Sequence, residues 1–316
     1  MSLQVSIVVI GRNEGAHVAR AIRSARREAQ GAGLRAEVLY VDSGSTDGSP
    51  MLAIAAGART HVLPRTTSNA AKARNRGAEL ARGRWVHFVD GDMTLCPRWL
   101  GTAVERAERA GLDALGGRIV ERLQGASLWS RAFGLDWCAD GHRTGSLGGA
   151  ALWKRSSFLR LGGFDEELEV GEDPDLYRRA LAEGLRVETL ARDMVLHELG
   201  LRDVRDWWRR AVAVGRSAAI VGTRFQDRRL MLQRFAFPLL VAVAVTGALL
   251  VDPRLLVLPL TACLALLLWR FLLDRRSGMT QGNAWLHAVH VYAVKFPQLL
   301  GALRVLLARR NRRFVL

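Results

Sequence analysis

The sequence predicts an α/β fold, a mostly parallel sheet flanked by helices, followed by a C-terminal α-helical membrane region. Three observations carry this expectation. Short apolar runs alternate with helical patterns through the first 200 residues, two long uncharged apolar segments follow, and positive charge is concentrated around those segments. Alternation of helices with fully apolar strands is the pattern of a parallel sheet covered on both faces.

Taken in order, Val5–Ile10 is an apolar run of strand length, and Gly15–Gln30 is a helix with Val18, Ala21, Ile22 and Ala25 on one face. Glu37–Val41 is a second strand, and Asp47–Ala56 a helix entered from a Ser/Gly/Asp loop. Asn69–Ala81 is a third helix and Arg84–Val89 a third strand. After Asp92 the rhythm loosens. A helix over Trp99–Ala110 and a strand over Ala114–Val120 lead into a glycine-dotted stretch, Gly134–Gly149. A helix over Asp175–Glu183 and a strand over Arg186–Leu190 follow, and the region closes near residue 200.

Beyond it, Asp203–Arg224 is amphipathic: Arg202, Arg205, Arg209 and Arg216 fall on one side, with Trp207, Ala211, Val214, Ala218 and Val221 roughly opposite. Such a helix suits a membrane interface, or packs on its own domain. Phe235–Val251 and Leu255–Trp269 then run without a charge, joined by Asp252-Pro253-Arg254. They read as a transmembrane hairpin, with Arg270 close enough to an end to snorkel. Arg228, Arg229 and Arg234 precede it, and Arg275 and Arg276 follow it. Arginine on both outer flanks places both in the cytoplasm. Ala284–Leu307 carries a polar stripe of His287, His290, Lys295 and Gln298 and a Pro297 that should bend it. It is expected to lie on the interface or pack against the hairpin, ahead of a basic tail, Arg309–Arg313, suited to anionic headgroups.

Charge follows the same division. Residues 1–200 hold 27 Lys+Arg against 25 Asp+Glu, whereas residues 201–316 hold 19 against 5. The basic excess therefore flanks the apolar segments and avoids the first region, which argues for a membrane surface and against nucleic acid. Cys96, Cys138 and Cys263 are far apart, show no metal spacing and read as packing residues of a reducing compartment. Val5–Ile10 is too short for a signal-peptide core, so the first region is expected to stay in the cytoplasm.

Four local patterns carry chemistry. Val8–Ile10 runs into Gly11-Arg12-Asn13-Glu14, a strand ending in a polar turn. Ligands of open parallel sheets bind outside the carboxyl ends of strands, which places Arg12 and Glu14 to touch one. In Leu39–Ser49, Asp42 terminates a strand, where it can accept hydrogen bonds from a ribose or a base; Asp47 does the same or caps the next helix. Asp90-Gly91-Asp92 sets two carboxylates at a strand end, able to approach a divalent cation and its diphosphate together. Asp-Gly is also an ordinary turn pair. Last, Gly162-Gly163-Phe164-Asp165-Glu166 precedes Gly171-Glu172-Asp173-Pro174-Asp175. Proline at a first helical position makes Asp173 a natural N-cap, and a carboxylate at such a junction is also placed to accept a proton from a hydroxyl.

These four patterns, in this order over Val5–His197, resemble glycosyltransferase family 2, whose catalytic domain has the Rossmann-like A-type nucleotide-diphospho-sugar transferase (GT-A) fold. The resemblance implies that Asp42 contacts the nucleoside and that the segment holding Arg74 and Asn75 lies by the base and phosphates. It implies that Asp90 and Asp92 meet Mn2+ or Mg2+ and the diphosphate, with His197 nearby as a third metal residue. It makes Asp173, in the Glu172-Asp173 pair, the general base. Gly149 leaves room for the donor sugar. Gly11-Arg12 departs from the commoner Pro-Thr turn. Trp207-Trp208-Arg209-Arg210 is similar to part of a motif of processive synthases, but one hairpin is too little for a polymer channel, which favours single-sugar transfer.

The implied organisation is a catalytic domain over 1–200, an interfacial helix over 201–230, a transmembrane hairpin over 231–276 and a membrane-packed helix with basic tail over 277–316. The implied reaction is inverting transfer from a nucleotide-diphospho-sugar to a lipid or polyprenyl acceptor at the cytoplasmic face of the cell membrane. If the acceptor is a polyprenyl phosphate no base is needed, and Asp173 positions it instead. Two rivals stand beside this. A nucleotidyltransferase would want a glycine-rich basic loop after the first strand, which Gly11–Ala16 matches poorly. A non-catalytic sugar-nucleotide-binding membrane protein would not need Asp42, Asp90, Asp92 and Asp173 together.

Overall fold

The computed structural model describes residues 3–66, 68–139 and 146–312. The chain divides into two compact units, one of residues up to 122 together with 137–199, the other of 123–136 and 200 onward.

The first unit is built on eight strands: β1 (Val5–Gly11), β2 (Ala36–Asp42), β3 (Arg59–Val62), β4 (Trp85–Asp90), β5 (Met93–Leu95), β6 (Ala114–Glu121), β7 (Leu152–Lys154) and β8 (Val187–His197). They form one mixed sheet in the order β3-β2-β1-β4-β7-β6-β8-β5. The first four are parallel, β7 runs antiparallel to both β4 and β6, β6 and β8 are parallel, and β5 closes the edge antiparallel to β8. Successive side chains of a strand point to opposite faces, so one apolar strand feeds two cores. On one face Val5, Ile7 and Val9 of β1 pack with Val18 and Ile22 of α1 (Ala16–Gly31) and with Trp99 and Leu100 of α4 (Trp99–Ala110). On the other, Val8 and Ile10 pack with Leu39, Val41, Phe88, Phe158 and Phe164, and with Ala71, Ala73 and Ala78 of α3 (Ala70–Leu80).

The short pieces β3, β5 and β7 and the small helix α6 (Arg155–Arg160) were not among the elements read from sequence. α2 (Ser49–Ala55) starts at Ser49, later than expected, and β8 runs on past Leu190 to His197. The stretch from Gly134 is helical in part, as the end of α5 (Leu128–Ala139). α7 spans Glu172–Ala182 with Gly171, at φ 87°, as its N-cap residue; Asp173 therefore lies inside the first turn, not at the cap that the position of Pro174 suggested.

The second unit groups most of α5 with α8 (Val204–Arg224), α9 (Arg228–Val251), α10 (Val257–Arg276), α11 (Gln281–Ala293) and α12 (Lys295–Arg312), α5 meeting Trp207 of α8 and His290 of α11 through Phe133. Residues 123–136 thus belong with the C-terminal helices, whereas the sequence put them in the first region. Asp203 caps α8, accepting from the amides of Arg205 and Asp206 at 2.9 Å each. α8 and α12 cross through glycine: a Cβ on Gly215 would lie 1.9 Å from the Gln298 carbonyl oxygen, and one on Gly301 2.1 Å from that of Val212. Residues 253–276 and 281–308 are long and apolar enough to cross a membrane, and Phe235–Val251 is a shorter apolar stretch. Segment 281–308 meets that criterion although its polar stripe suggested a helix lying on the interface or packed against the hairpin; its His287 and Trp285 meet Asp274 and Phe271 of α10. It is interrupted at Val294, three residues before Pro297, whose ring cannot accommodate the carbonyl of Ala293 in a continuous helix. The side chains of Arg228 and Arg234, of Cys138 and of the basic run Arg309–Arg313 lie outside the described residues.

Candidate active site

Three parallel strand tips set the floor. In the register of the sheet Gly11 of β1 stands beside Asp42 of β2, and Ile10 beside Asp90 of β4. Adjacent strands lie about 4.8 Å apart, so Asp42 and Asp90 flank the end of β1 on one edge of the sheet. The turn after β1 is held by its own side chains. Asn13 takes a left-handed conformation (φ 58°), which asparagine tolerates, and its Oδ1 accepts from the Thr46 amide at 2.8 Å. Arg12 donates to the Ser43 and Ser68 carbonyls at 2.8 and 2.9 Å and to Ser68 Oγ at 3.0 Å, tying together three segments beside the strand tips. Asp42 is fully buried. Its carboxylate accepts from Tyr40 Oη at 2.8 Å and from the Ser45 amide and hydroxyl at 2.7 and 2.5 Å, so it shapes the loop that follows it. Asp47 is not the N-cap of α2; it accepts from the Ser49 amide at 2.9 Å and the Gly15 amide at 3.2 Å.

Glu14 threads between two glycines. A Cβ on Gly11 would lie 2.6 Å from Glu14 Cγ and one on Gly91 2.7 Å from the same atom. The carboxyl is carried in this way towards Asp90 and Asp92. Burial, and then the negative charges of Asp92 and Asp90, push it up to about 7. Three carboxylates therefore share one field at the tip of β4.

Arg74 is the cation of this group. Projecting from α3, it is 3% exposed and donates to Asp90 Oδ1 at 2.7 Å and to Glu172 Oε1 at 3.1 Å, with the Phe164 ring 5.3 Å from its guanidinium carbon. Gly149 makes room for it, since a Cβ there would lie 2.3 Å from Nη2 and 3.0 Å from Asp90 Oδ2. Burial disfavours the charge, but Asp90, Glu172 and Asp173 together hold the guanidinium firmly protonated. The adjacent Asn75 is committed to the glycine loop, exchanging hydrogen bonds with the Phe164 backbone (2.8 and 2.9 Å) and donating to Glu166 at 3.0 Å. Asp173 accepts from the Ser146 hydroxyl, which in turn accepts from the Gly148 amide at 3.1 Å.

His197, at the end of β8, faces Asp92 across the antiparallel pairing of β8 with β5. Its Nε2 lies 3.2 Å from Asp92 Oδ2 and its Nδ1 2.8 Å from Glu121 Oε2. Burial works against the charged ring, but Asp92 and Glu121 outweigh it and raise the imidazole to about 9. Glu121 is itself buried, and its other oxygen accepts from the Leu199 amide at 2.6 Å.

The parallel strand tips bearing Asp42 and Asp90, with Asp92 in the turn after β4, fall within a known domain: residues 6–159 match the family described as "Glycosyl transferase family 2", and the helix that opens with Glu172-Asp173 follows that match. The chain carries a glycosyltransferase family 2 domain. It is 30% identical over 239 residues to the pre-mycofactocin glycosyltransferase of Mycobacterium tuberculosis, an alignment covering 71% of this chain and 48% of that protein. It is 37% identical over 128 residues to the succinoglycan biosynthesis protein ExoO of Rhizobium meliloti, covering 39% of this chain and 36% of that one. The chain thus spans about half the length, or less, of these two relatives. Among solved structures, the mannosyltransferase PcManGT from Pyrobaculum calidifontis in complex with GDP-Man and Mn2+ aligns with a TM-score of 0.59 at 21% identity, covering 97% of this chain and 88% of that one. S. aureus TarS 1–349 in complex with UDP-GlcNAc aligns at 0.52 and 16% identity, covering 95% and 92%. At these identities the likeness is one of fold.

Glu14, Arg74, Asp90 and Gly149, within the matched residues, and Glu172 and Asp173, beyond them, belong to one charged group; Asp92, whose charge also acts on Glu14, pairs in addition with His197. Sequence reasoning missed Glu121 and Ser146. Glu121 ends a strand as Asp42 and Asp90 do, and the same strand-tip rule would have found it; Ser146 carries no local signal. A divalent cation is compatible with the donor set. Asp90 and Asp92, with Glu14 beside them, are hard oxygen donors of the kind Mg2+ and Mn2+ take. Among the described residues no group of three or more His, Cys, Asp or Glu side chains is arranged to hold an ion unaided.

Proposed function

We propose that the chain is an inverting glycosyltransferase that takes a nucleotide-diphospho-sugar with a divalent cation and transfers the sugar to a membrane-borne acceptor at the cytoplasmic face. The observation that carries this reading is the chain Glu172–Arg74–Asp90, a buried guanidinium clamped between two carboxylates (3.1 and 2.7 Å) beside the tips of three parallel strands. The domain's family and the GT-A fold support it, and the apolar C-terminal helices support the membrane assignment.

In this reading the loop built by Arg12, Asn13, Asp42 and Ser45 forms the nucleoside end of the cleft. Arg74 fixes Asp90 and Glu172, while Asp90 and Asp92 are the residues that would hold the cation; His197, held protonated by Asp92 and Glu121, would join them only on giving up its proton. When bound, that cation supplies positive charge against the diphosphate of the donor. Asp173, steadied by Ser146, accepts the proton of an acceptor hydroxyl. The hydroxyl oxygen forms a bond to the anomeric carbon from the face opposite the leaving group. The bond from that carbon to the diphosphate oxygen breaks, its electron pair leaves with the nucleoside diphosphate, and the configuration inverts.

Unfolding of the detergent-solubilised protein is to be followed with UDP, GDP and other nucleoside diphosphates, with and without Mn2+. A ligand at 100 times its dissociation constant stabilises the folded state by about 2.7 kcal/mol. One nucleoside diphosphate should raise Tm only with the cation present, and Asp92→Ala should remove that dependence. No cation-dependent shift with any of them overturns the donor assignment. With a donor in hand, Asp173→Asn abolishes transfer to a hydroxyl but spares transfer to a polyprenyl phosphate, which separates the two acceptor classes.

A further inference from the structure

A second cleft in the first unit, of about 350 Å3, is lined by Arg20, Arg23, Arg27, Thr94, Leu95, Pro97, Arg122 and Glu198. None of these residues was singled out by the sequence, and none belongs to the group around Arg74. Arg20, Arg23 and Arg27 follow one another on α1 at spacings of three and four, which sets them on one face of the helix. Arg122 comes from the end of β6. The one acid in the cleft, Glu198, is shared: Arg20 Nη2 lies 3.2 Å from it and Arg122 Nη1 3.1 Å. Among the described residues no carboxylate pairs with Arg23 or Arg27, both of which are exposed. Four guanidinium groups thus converge on a concave site with one counter-charge. Such a field is costly to assemble unless an anion meets it, and guanidinium forks match the tetrahedral oxygens of a phosphate.

We propose that this cleft binds the phosphate group of a lipid headgroup. Glu198 holds Arg20 and Arg122 together and gives them up to the incoming phosphate, while Arg23 and Arg27 supply uncommitted donors. Leu95 and the exposed Pro97, which also line the cleft, add apolar surface that the carbons next to a lipid phosphate would cover and that inorganic phosphate does not require. Lipid as the source rests on the membrane reading above, because a chain with stretches long enough to cross a bilayer meets headgroups at high local concentration. The phosphate chemistry rests on the arginines alone.

The test is a direct binding titration of the full chain in neutral detergent at fixed ionic strength, with short-chain phosphatidic acid in one arm and inorganic phosphate in the other. Near an anionic headgroup each arginine contributes on the order of a five-fold gain in affinity, so Arg23→Ala/Arg27→Ala should weaken phosphatidic acid binding about thirty-fold. Glu198→Gln should tighten it several-fold by releasing Arg20 and Arg122. Both variants should unfold at the wild-type temperature, which separates lost binding from lost folding. Equal binding of inorganic phosphate, with the same loss in the double variant, overturns the lipid source and leaves a free-anion site. Unchanged titrations in both arms overturn the proposal altogether. Because binding and not turnover is read, neither outcome depends on whether the protein transfers sugar.

Discussion

Replacing Gly149 by alanine tests how rigidly Arg74 is held. The added methyl would stand 2.3 Å from Arg74 Nη2, and ordinary van der Waals contact begins near 3.4 Å, so the guanidinium must retreat by about 1 Å. It has little freedom to do so, being 3% exposed, bound to Asp90 and Glu172 and set against the Phe164 ring. Stripping a partner from a fully buried ion pair costs about 3–5 kcal/mol. Glu172 remains as a partner, and the Asp90 side chain is 28% exposed, so the cost here is nearer ~2 kcal/mol. For a unit of this size that lowers Tm by about 4–8 °C. A displacement of this size at residues that set the substrate lowers kcat/KM about a hundred-fold. Scanning calorimetry on the solubilised protein, alongside donor turnover, reads both effects. Gly31→Ala, which meets nothing within 4 Å, is the control and should change neither. A Gly149→Ala protein with wild-type Tm and turnover would refute the clamp, and with it the positioning role given to Arg74.

Two further predictions address other parts of the molecule. His87 is buried, accepts from Trp99 Nε1 at 2.7 Å and directs Nδ1 to the Phe88 carbonyl, and burial holds it down to about 4. The unfolded chain, with an ordinary imidazole near 6.5, takes up its proton first as the pH falls, so stability is lost between pH 6.5 and 4, by about 2 kcal/mol on going from pH 7 to 5. His87→Gln keeps an acceptor for Trp99, and its stability, followed by denaturant unfolding at the two pH values, should fall by about 2 kcal/mol less over this interval; an identical fall in both proteins would rule the assignment out. In the second unit, Gly215→Ala drives a methyl into the backbone of α12, where no side chain can swing aside. It should destabilise the helical unit by ~3 kcal/mol or more, and Gly301→Ala should match it from the other helix; thermal aggregation in detergent at the wild-type temperature for either variant would show that α8 and α12 are not locked there.

The central strands were legible because each, buried on both faces, reads as a continuous apolar run: Val5–Ile10, Glu37–Val41 and Arg84–Val89 lie within one residue of β1, β2 and β4 at either end. Their polar termini then located Glu14, Asp42, Asp90 and Asp92 without further information. Edge pieces were not legible. β5 and β7 have three residues each, too few to show a period, and they exist because neighbouring strands offer them hydrogen bonds. β8 was cut short at Leu190 because exposed Ala191, Arg192 and Asp193 interrupt its apolar pattern; its pairing with β6 shifts register opposite them and then carries it on to His197. Pro174 gave the wrong start for α7 because it sits at the third helical position, while the left-handed Gly171 does the capping. The partners of a side chain were the least visible of all. The family resemblance implied that Arg74 and Asn75 lie by the base and phosphates, but gave no sign that one would be clamped between carboxylates and the other spent on the Phe164 backbone.

The chain leaves the first unit after Arg122, contributes a short helix to the second, and comes back at Trp137 before leaving again at residue 200. A soluble fragment cut at residue 200 would therefore not be a self-sufficient piece. Ser127 and Ser130 would lose the Leu201 carbonyl they share, and Phe133 its packing against Trp207 and His290, stranding apolar surface in water. Expression trials that trim the helices for convenience should excise 123–136 as well, bridging Arg122 to Trp137 with a flexible linker, or else keep the whole polypeptide.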